Sequence, residues 1–126
     1  MLHKEITDLI IKSFYKVYNT HGYGFLEKVY ENSMVLELKN HGLKCETQKA
    51  ISVFYDGVIV GNYFADIIVE NKVILELKAT EALREEHEAQ LINYLRATNI
   101  EVGLLINFGK EAEFVRKVFS NSRKKR

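Results

Sequence analysis

The sequence predicts an α/β fold in which a mixed β-sheet is flanked by helices. Three observations lead to this fold class. The first forty residues have the apolar periodicity of helices, the middle of the chain alternates β-rich runs with turn residues, and the last third places another helical pattern before an apolar run. The order helix, helix, three strands, helix, strand is typical of a sheet covered by helices.

The two predicted N-terminal helices follow from apolar side chains spaced three and four residues apart. One helix is expected over residues 4–20 and ends near Gly22, which can take the left-handed cap conformation. The other is expected over residues 26–40 and is closed by Gly42. A loop that contains Gly22 and Gly24 separates the two helices.

The middle of the chain predicts a meander of three antiparallel strands. The strands are expected over residues 50–55, 58–69 and 73–79, and the turn pairs between them are Asp56-Gly57 and Asn71-Lys72. Pairs of this type favour tight hairpins, so consecutive strands should lie side by side.

The last third of the chain predicts one more helix, over residues 81–98, and a strand over residues 102–107. The strand carries a continuous apolar run, which suits a strand buried on both faces. Residues 111–119 fit a strand or a short helix, and we prefer the strand.

Composition limits the classes of protein that the chain can represent. Its 126 residues, 47% of them hydrophobic, suit one domain with a single core, expected over residues 1–121 and followed by a basic tail over residues 122–126. A net charge of +1 gives no global field for a polyanion, so local charge must hold one. The single Cys45 excludes an internal disulfide, and there is no zinc-type ligand spacing. Without a membrane-length apolar run or an apolar leader, a cytoplasmic protein with no membrane partner is expected.

Charged residues interrupt two strands that should be apolar. Asp66 lies in the middle of the second strand, and burying an unpartnered carboxylate there costs several kcal/mol. Glu76 and Lys78 lie two residues apart on the third strand and therefore share a face. Because the two strands are neighbours, Asp66 should come close to Glu76.

Two interpretations of this cluster are open. It can be a charged solvent face on which Glu76 and Lys78 pair. Alternatively, the repulsion between the carboxylates of Asp66 and Glu76 is relieved by a cation. Their oxygens and the carbonyl of Leu77 are hard ligands that suit Mg²⁺ or Mn²⁺, and Lys78 can then orient a water for attack on phosphorus.

The cluster and the loop before the second helix resemble known motifs. Asp66, a nine-residue spacer and the run Glu76 to Lys78 resemble the D…ExK signature of the PD-(D/E)XK nuclease superfamily, with Ala65 where the name-giving pattern has proline. The segment Gly24 to Tyr30 resembles the motif of the GxxExxY protein family, which belongs to that superfamily. The resemblance extends over nearly the whole chain.

The resemblance implies a PD-(D/E)XK core and a Mg²⁺-dependent nuclease, with Mn²⁺ as the alternative ion. It implies that Asp66, Glu76 and Leu77 bind the metal, that Lys78 positions the attacking water, and that Glu27 completes or orients the metal shell. Without the resemblance, Glu27 is better explained as an acid favoured in a first helical turn by the helix dipole and by capping.

Three more residues receive roles from the resemblance. Tyr30 is expected to be a packing residue whose hydroxyl touches the rim of the site. Gln90 and Tyr94, four residues apart on one helical face, resemble the QxxxY element of the RecB-type branch, where the pair lies beside the active site. The alternative is a solvent-facing Gln90 and a half-buried core Tyr94.

The expected partner is nucleic acid, with DNA favoured over RNA, and a homodimer is left open. The cations available for phosphate contacts are Arg84, Arg96, Lys110, Arg116, Lys117, Arg123, Lys124, Lys125 and Arg126. The rival hypothesis is a catalytically inactive module that keeps the fold to bind nucleic acid or a partner protein.

Overall fold

The structure is a computed structural model that describes residues 1–125. Its elements are α1 (Lys4–His21), α2 (Glu27–Asn40), β1 (Cys45–Tyr55), β2 (Val58–Val69), β3 (Val73–Lys78), α3 (Glu85–Ala97), β4 (Val102–Phe108), β5 (Ala112–Val118) and one 3₁₀ turn (Asn121–Arg123). No helix in this part of the chain is long and apolar enough to cross a bilayer.

The five strands form one mixed sheet in the order β1-β2-β3-β4-β5. β3 and β4 are parallel, and every other neighbouring pair is antiparallel. A parallel pair needs a crossover connection, and α3 provides it. The predicted α/β fold with a mixed sheet is therefore confirmed, and the segment 111–119 contains the preferred strand.

Helices cover the two faces of the sheet. The buried side chains of α1 and α2 pack against Leu75, Leu77 and Leu104 on one face of the sheet. The core of α3 packs with Ile74 and Leu105 on the other. Every residue of β4 is buried, as its continuous apolar sequence predicts. This layering places the carboxyl end of β3, which carries the ExK residues, between α2 and α3.

Two elements differ in length from the prediction. β1 begins at Cys45, five residues earlier than expected, because its polar first half pairs with β2 while its side chains remain mostly exposed. α3 begins only at Glu85, because Arg84 and His87 cap it: His87 Nδ1 accepts the Arg84 N–H at 3.1 Å. Residues 79–84 instead form a loop.

The β2–β3 turn and the basic tail also differ in detail from the expectation. The positive-φ residues of the turn are Glu70 and Asn71, one residue earlier than predicted. In the tail, Lys124 Nζ donates to the carbonyls of Thr98 at 3.0 Å and Ile100 at 2.7 Å. The tail is thus held against the domain at that residue, while Arg126 lies outside the described residues.

Asn107 is a fully buried polar residue that fixes the loop after β3. It lies opposite Lys78 in the parallel register. Its Oδ1 accepts the Thr80 N–H and its Nδ2 donates to the Thr80 carbonyl, both at 3.0 Å. The Asn107 side chain therefore satisfies both backbone groups of Thr80, which lies two residues after the end of β3.

We expect Asn107→Ala to lower the free energy of unfolding by roughly 2–4 kcal/mol, because both backbone groups of Thr80 lose their partner in a buried site. Asn32→Ala, at an exposed position of α2, is the matched control and should change stability by less than about 0.5 kcal/mol. Urea denaturation of the two variants measures the difference. Equal stabilities of the two variants would contradict this role for Asn107.

Candidate active site

Asp66 and Glu76 bridge β2 and β3 at the point where the regular pairing of these strands ends. The last residues in register are Ile67 and Leu75. Beyond them, Glu76 Oε2 accepts the Asp66 N–H at 2.7 Å, and Asp66 Oδ2 accepts the Leu77 N–H at 2.9 Å. Two carboxylates thus take the place of backbone carbonyls as acceptors, and they are brought together as the strand alternation predicts.

Burial makes both carboxyl groups hard to ionise. Glu76 is only 8% exposed. Burial, followed by the charge of Asp66, raises the pKa of Glu76 from its ordinary 4.5 to about 8. Burial also raises the pKa of Asp66, although the hydrogen bond from the Leu77 amide opposes the shift. The pair therefore lacks enough positive charge nearby to ionise fully at neutral pH.

Lys78 supplies part of that positive charge. It follows Glu76 by two positions on β3 and shares its face of the strand. Its charge lowers the pKa of both Asp66 and Glu76, but less than burial raises either one. The structure thus places the lysine of the ExK run within electrostatic reach of both carboxylates.

Glu27 is the first residue of α2 and is exposed. It lines a cavity of about 170 Å³ together with Asp66 and Leu77. Its charge raises the pKa of Asp66 and Glu76, which places its carboxylate in the same electrostatic environment. Leu77 contributes its backbone N–H to Asp66, and its side chain is buried in the core.

Tyr30 fixes the loop that leads to Glu27. Its hydroxyl donates to the Gly22 carbonyl at 2.7 Å and accepts the Phe25 N–H at 3.2 Å. Its fully buried ring stacks on Phe108 with centroids 4.2 Å apart. Tyr30 packs in the core as predicted, and its hydroxyl bonds the backbone of the loop that precedes Glu27. That this hydroxyl touches the rim of the site stays a prediction.

Gln90 and Tyr94 form a pair on the face of α3 that is turned toward the carboxylates. Gln90 Nε2 donates to the Tyr94 hydroxyl at 3.0 Å. Burial, then the charge of Glu76 and later that of Asp66, raise the pKa of Tyr94. Gln90 is half-buried and Tyr94 is 7% exposed, so neither residue is simply solvent-facing.

Glu31 and Gln48 belong to the site but were not predicted from the sequence. Glu31 is 5% exposed, and its carboxylate accepts bonds from Lys28 Nζ at 2.6 Å and Gln48 Nε2 at 2.7 Å. Its charge raises the pKa of Asp66. The spacing of four residues from Glu27 was a usable signal, since such residues share a helix face. Gln48 gave no signal, because its place depends on a positive φ within β1.

The donor set of the site fits a hard divalent cation. Its ligating atoms are carboxylate oxygens, which Mg²⁺ and Mn²⁺ prefer, and a dication would offset the burial and the repulsion from neighbouring carboxylates that raise both pKa values. Over residues 1–125, no group of three or more His, Cys, Asp or Glu side chains is already arranged to hold a metal ion. The carboxylates of Asp66 and Glu76 are joined through backbone N–H groups, and the charges of Glu27 and Glu31 act on Asp66.

Comparison with known proteins agrees with this fold. The family model described as PD-(D/E)XK nuclease superfamily matches residues 4–118. The chain therefore belongs to the PD-(D/E)XK nuclease superfamily, as the D…ExK spacing predicted. The finer assignment to the GxxExxY family stays a prediction.

Among solved structures, the chain is similar to the one described as the crystal structure of SSO0001, with 18% sequence identity and a TM-score of 0.57. The match covers 91% of this chain and 66% of that chain, just under two thirds of its length. At this identity the likeness shows the fold alone. No curated protein sequence matches the chain significantly.

Proposed function

We propose that the protein is a Mg²⁺-dependent nuclease, with Mn²⁺ as an alternative ion, that hydrolyses phosphodiester bonds in nucleic acid, DNA being favoured over RNA. The crossed pair of Asp66 and Glu76, with Lys78 beside it, carries the proposal. A structural role alone gives no reason to hold two repelling carboxylates together at the end of a strand pair. Superfamily membership supports a nuclease-like domain.

Each residue of the site has a separate role in the proposed phosphodiester hydrolysis. Asp66, Glu76 and the Leu77 carbonyl would hold the metal, and Glu27 would complete or orient its shell. The bound ion would neutralise charge on the phosphate and make a water more acidic. Lys78 would orient the attacking water.

The pair on α3 has a supporting role in this proposal. Gln90 fixes the Tyr94 hydroxyl through their hydrogen bond. The hydroxyl lies within electrostatic reach of Glu76 and Asp66. It can therefore help to position the substrate or the lysine without contributing a metal ligand.

A cleavage panel tests the proposal. Branched, double-stranded and single-stranded DNA and RNA are incubated with the protein in Mg²⁺, in Mn²⁺ and in EDTA. Cleavage that needs a divalent ion and is lost in EDTA supports a nuclease. Binding without cleavage under any metal would favour the inactive binding module instead.

The metal-free protein should become less stable as pH rises from about 5 to 8. Glu76 keeps its proton up to about pH 8 in the folded chain, whereas it ionises near 4.5 when unfolded. Unfolding therefore releases a proton in this range, and the free energy of unfolding falls by up to about 1.4 kcal/mol per pH unit. The raised pKa of Asp66 acts in the same direction.

Urea denaturation in EDTA across this pH range measures the effect. Glu76→Gln keeps an acceptor oxygen for the Asp66 N–H but cannot titrate, so its stability should depend much less on pH. A slope equal to that of the wild type would show that Glu76 does not keep its proton.

A further inference from the structure

A groove of about 730 Å³ lies beside the candidate active site, between the β1–β2 hairpin and α3. Gln90 and Tyr94 line it, so the groove begins at residues already placed next to the carboxylates. Its volume is in the range of ligand sites. We call it the hairpin groove.

Aromatic rings line the hairpin side of this groove. They belong to Phe54, which is 61% exposed, and Tyr63, which is 43% exposed. The Tyr63 ring lies 5.8 Å from that of Tyr94, tilted by 50°. These rings offer accessible surface close to the catalytic residues, and nucleic-acid bases stack on such rings whatever their sequence.

The charge of the groove is opposite to that of the neighbouring cavity. Arg96 and Lys125 line the groove and are exposed, and Asp56 is the acidic residue among its described lining. The 170 Å³ cavity, in contrast, is lined by the acids Glu27, Glu31 and Asp66 and by one cation, Lys28. A phosphate chain leaving the proposed metal site would therefore be attracted toward the groove.

We infer that the hairpin groove binds a single-stranded segment of the DNA substrate next to the scissile phosphate. Tyr63 and Phe54 stack on its bases, and Arg96 and Lys125 contact its phosphates. In a duplex the bases stack on each other, so only unpaired nucleotides present free faces to the rings. This inference rests on the proposed function, because the groove is assigned to a substrate through its junction with the catalytic residues.

Binding measured without cleavage tests the inference. The full chain is titrated in EDTA, at several salt concentrations, against a fluorescein-labelled DNA strand of roughly 15 nucleotides, the length that aromatic and basic grooves accept. The same sequence is tested as a blunt duplex and as RNA. We expect the single DNA strand to bind at least about tenfold more tightly than the duplex.

Paired variants locate the contact. Tyr63→Ala should weaken single-strand binding by about 5- to 100-fold, as expected for the loss of one stacked base. Phe64→Ala is the matched control, since Phe64 is the neighbouring exposed aromatic outside the groove. The Phe64→Ala variant should bind the single strand less than about twofold more weakly than the wild type. Melting curves of both variants establish that each one folds.

A charge variant gives a second, independent readout. Arg96→Glu should weaken single-strand binding and reduce the steepness of its salt dependence by about 0.7 per lost phosphate contact. Lys72→Glu, an exposed change in the β2–β3 turn, should alter neither quantity as much.

Three results would overturn the inference: a duplex bound as tightly as the single strand, equal losses for Tyr63→Ala and Phe64→Ala, or RNA bound more tightly than DNA with the same sensitivity to the variants. Its failure is distinguishable from failure of the proposed function. If no metal supports cleavage but the binding pattern holds, the nuclease proposal fails, and the groove stands as a binding site for single-stranded DNA that no longer adjoins a scissile phosphate.

Discussion

Lys78→Ala and Glu76→Gln should each lower the rate of nucleic-acid cleavage by at least about 100-fold. In the proposed site, Glu76 holds the metal and Lys78 positions the attacking water, so both act on the same transition state. Their effects should not add. The double variant should be little slower than either single variant, as expected for residues that work as one unit.

The measurement is the single-turnover cleavage rate of one substrate with saturating metal, for the wild type, both single variants and the double. Lys72→Ala removes an exposed lysine from the turn that precedes the same strand, and its rate should equal that of the wild type. Nucleic-acid affinity should fall little in Glu76→Gln, because losing a negative charge does not weaken phosphate contacts. Cleavage that persists unchanged in both single variants would show that another site, or a contaminating enzyme, performs the reaction.

The approach of Asp66 to Glu76 could be predicted from the sequence because it depends on local rules. Strand alternation puts Glu76 and Lys78 on one face, and a tight turn makes β2 and β3 neighbours. The predicted start of the β2–β3 turn was wrong by one residue, yet Asp66 and Glu76 still lie next to each other. An error at a turn shifts its positive-φ residues without changing which strands are adjacent.

The features that were missed depend on contacts between residues far apart in the chain. Asn107 bonds Thr80 across 27 positions, and Gln48 bonds Glu31 across 17. Neither pair has a periodicity or a turn signal. The crossed hydrogen bonds of the two carboxylates were missed for a related reason. The alternation of side chains along a strand indicates which residues share a face, but it does not show where the backbone pairing of two strands ends.

The motif around Glu27 was recognised by resemblance, but the resemblance did not give the structural role of each residue in it. The pattern Gly24 to Tyr30 begins in the loop before α2, where Gly22 and Gly24 adopt positive φ angles of 67° and 111°. The role of Tyr30 became clear only from its bonds to Gly22 and Phe25. The tyrosine fixes the loop, and the loop sets where α2 and its first glutamate begin.

Adding Mg²⁺ or Mn²⁺ should raise the melting temperature of the wild-type protein by several degrees. A ligand that binds only the folded state adds about 1.4 kcal/mol to the free energy of unfolding at ten times its dissociation constant. For a domain of this size that amounts to several degrees. The physical origin is that burial, and after it repulsion from neighbouring carboxylates, raises the pKa of Asp66 and Glu76, and a bound dication would stabilise their charged forms.

Asp66→Asn should remove most of this metal response. The amide oxygen of asparagine can still accept the Leu77 N–H, so the local hydrogen bond is retained while the charge is lost. Without that charge, Glu76 ionises more easily, and the metal-free variant should be as stable as the wild type or more stable.

Asp56→Asn, at the exposed β1–β2 turn, is the matched control and should keep the full response. Melting curves of the three proteins over a range of metal concentrations, each compared with EDTA, measure the effect. A wild-type curve that does not change with metal would falsify a carboxylate site with useful affinity, since a dication held by the buried Glu76 and the half-buried Asp66 must stabilise the fold that brings them together.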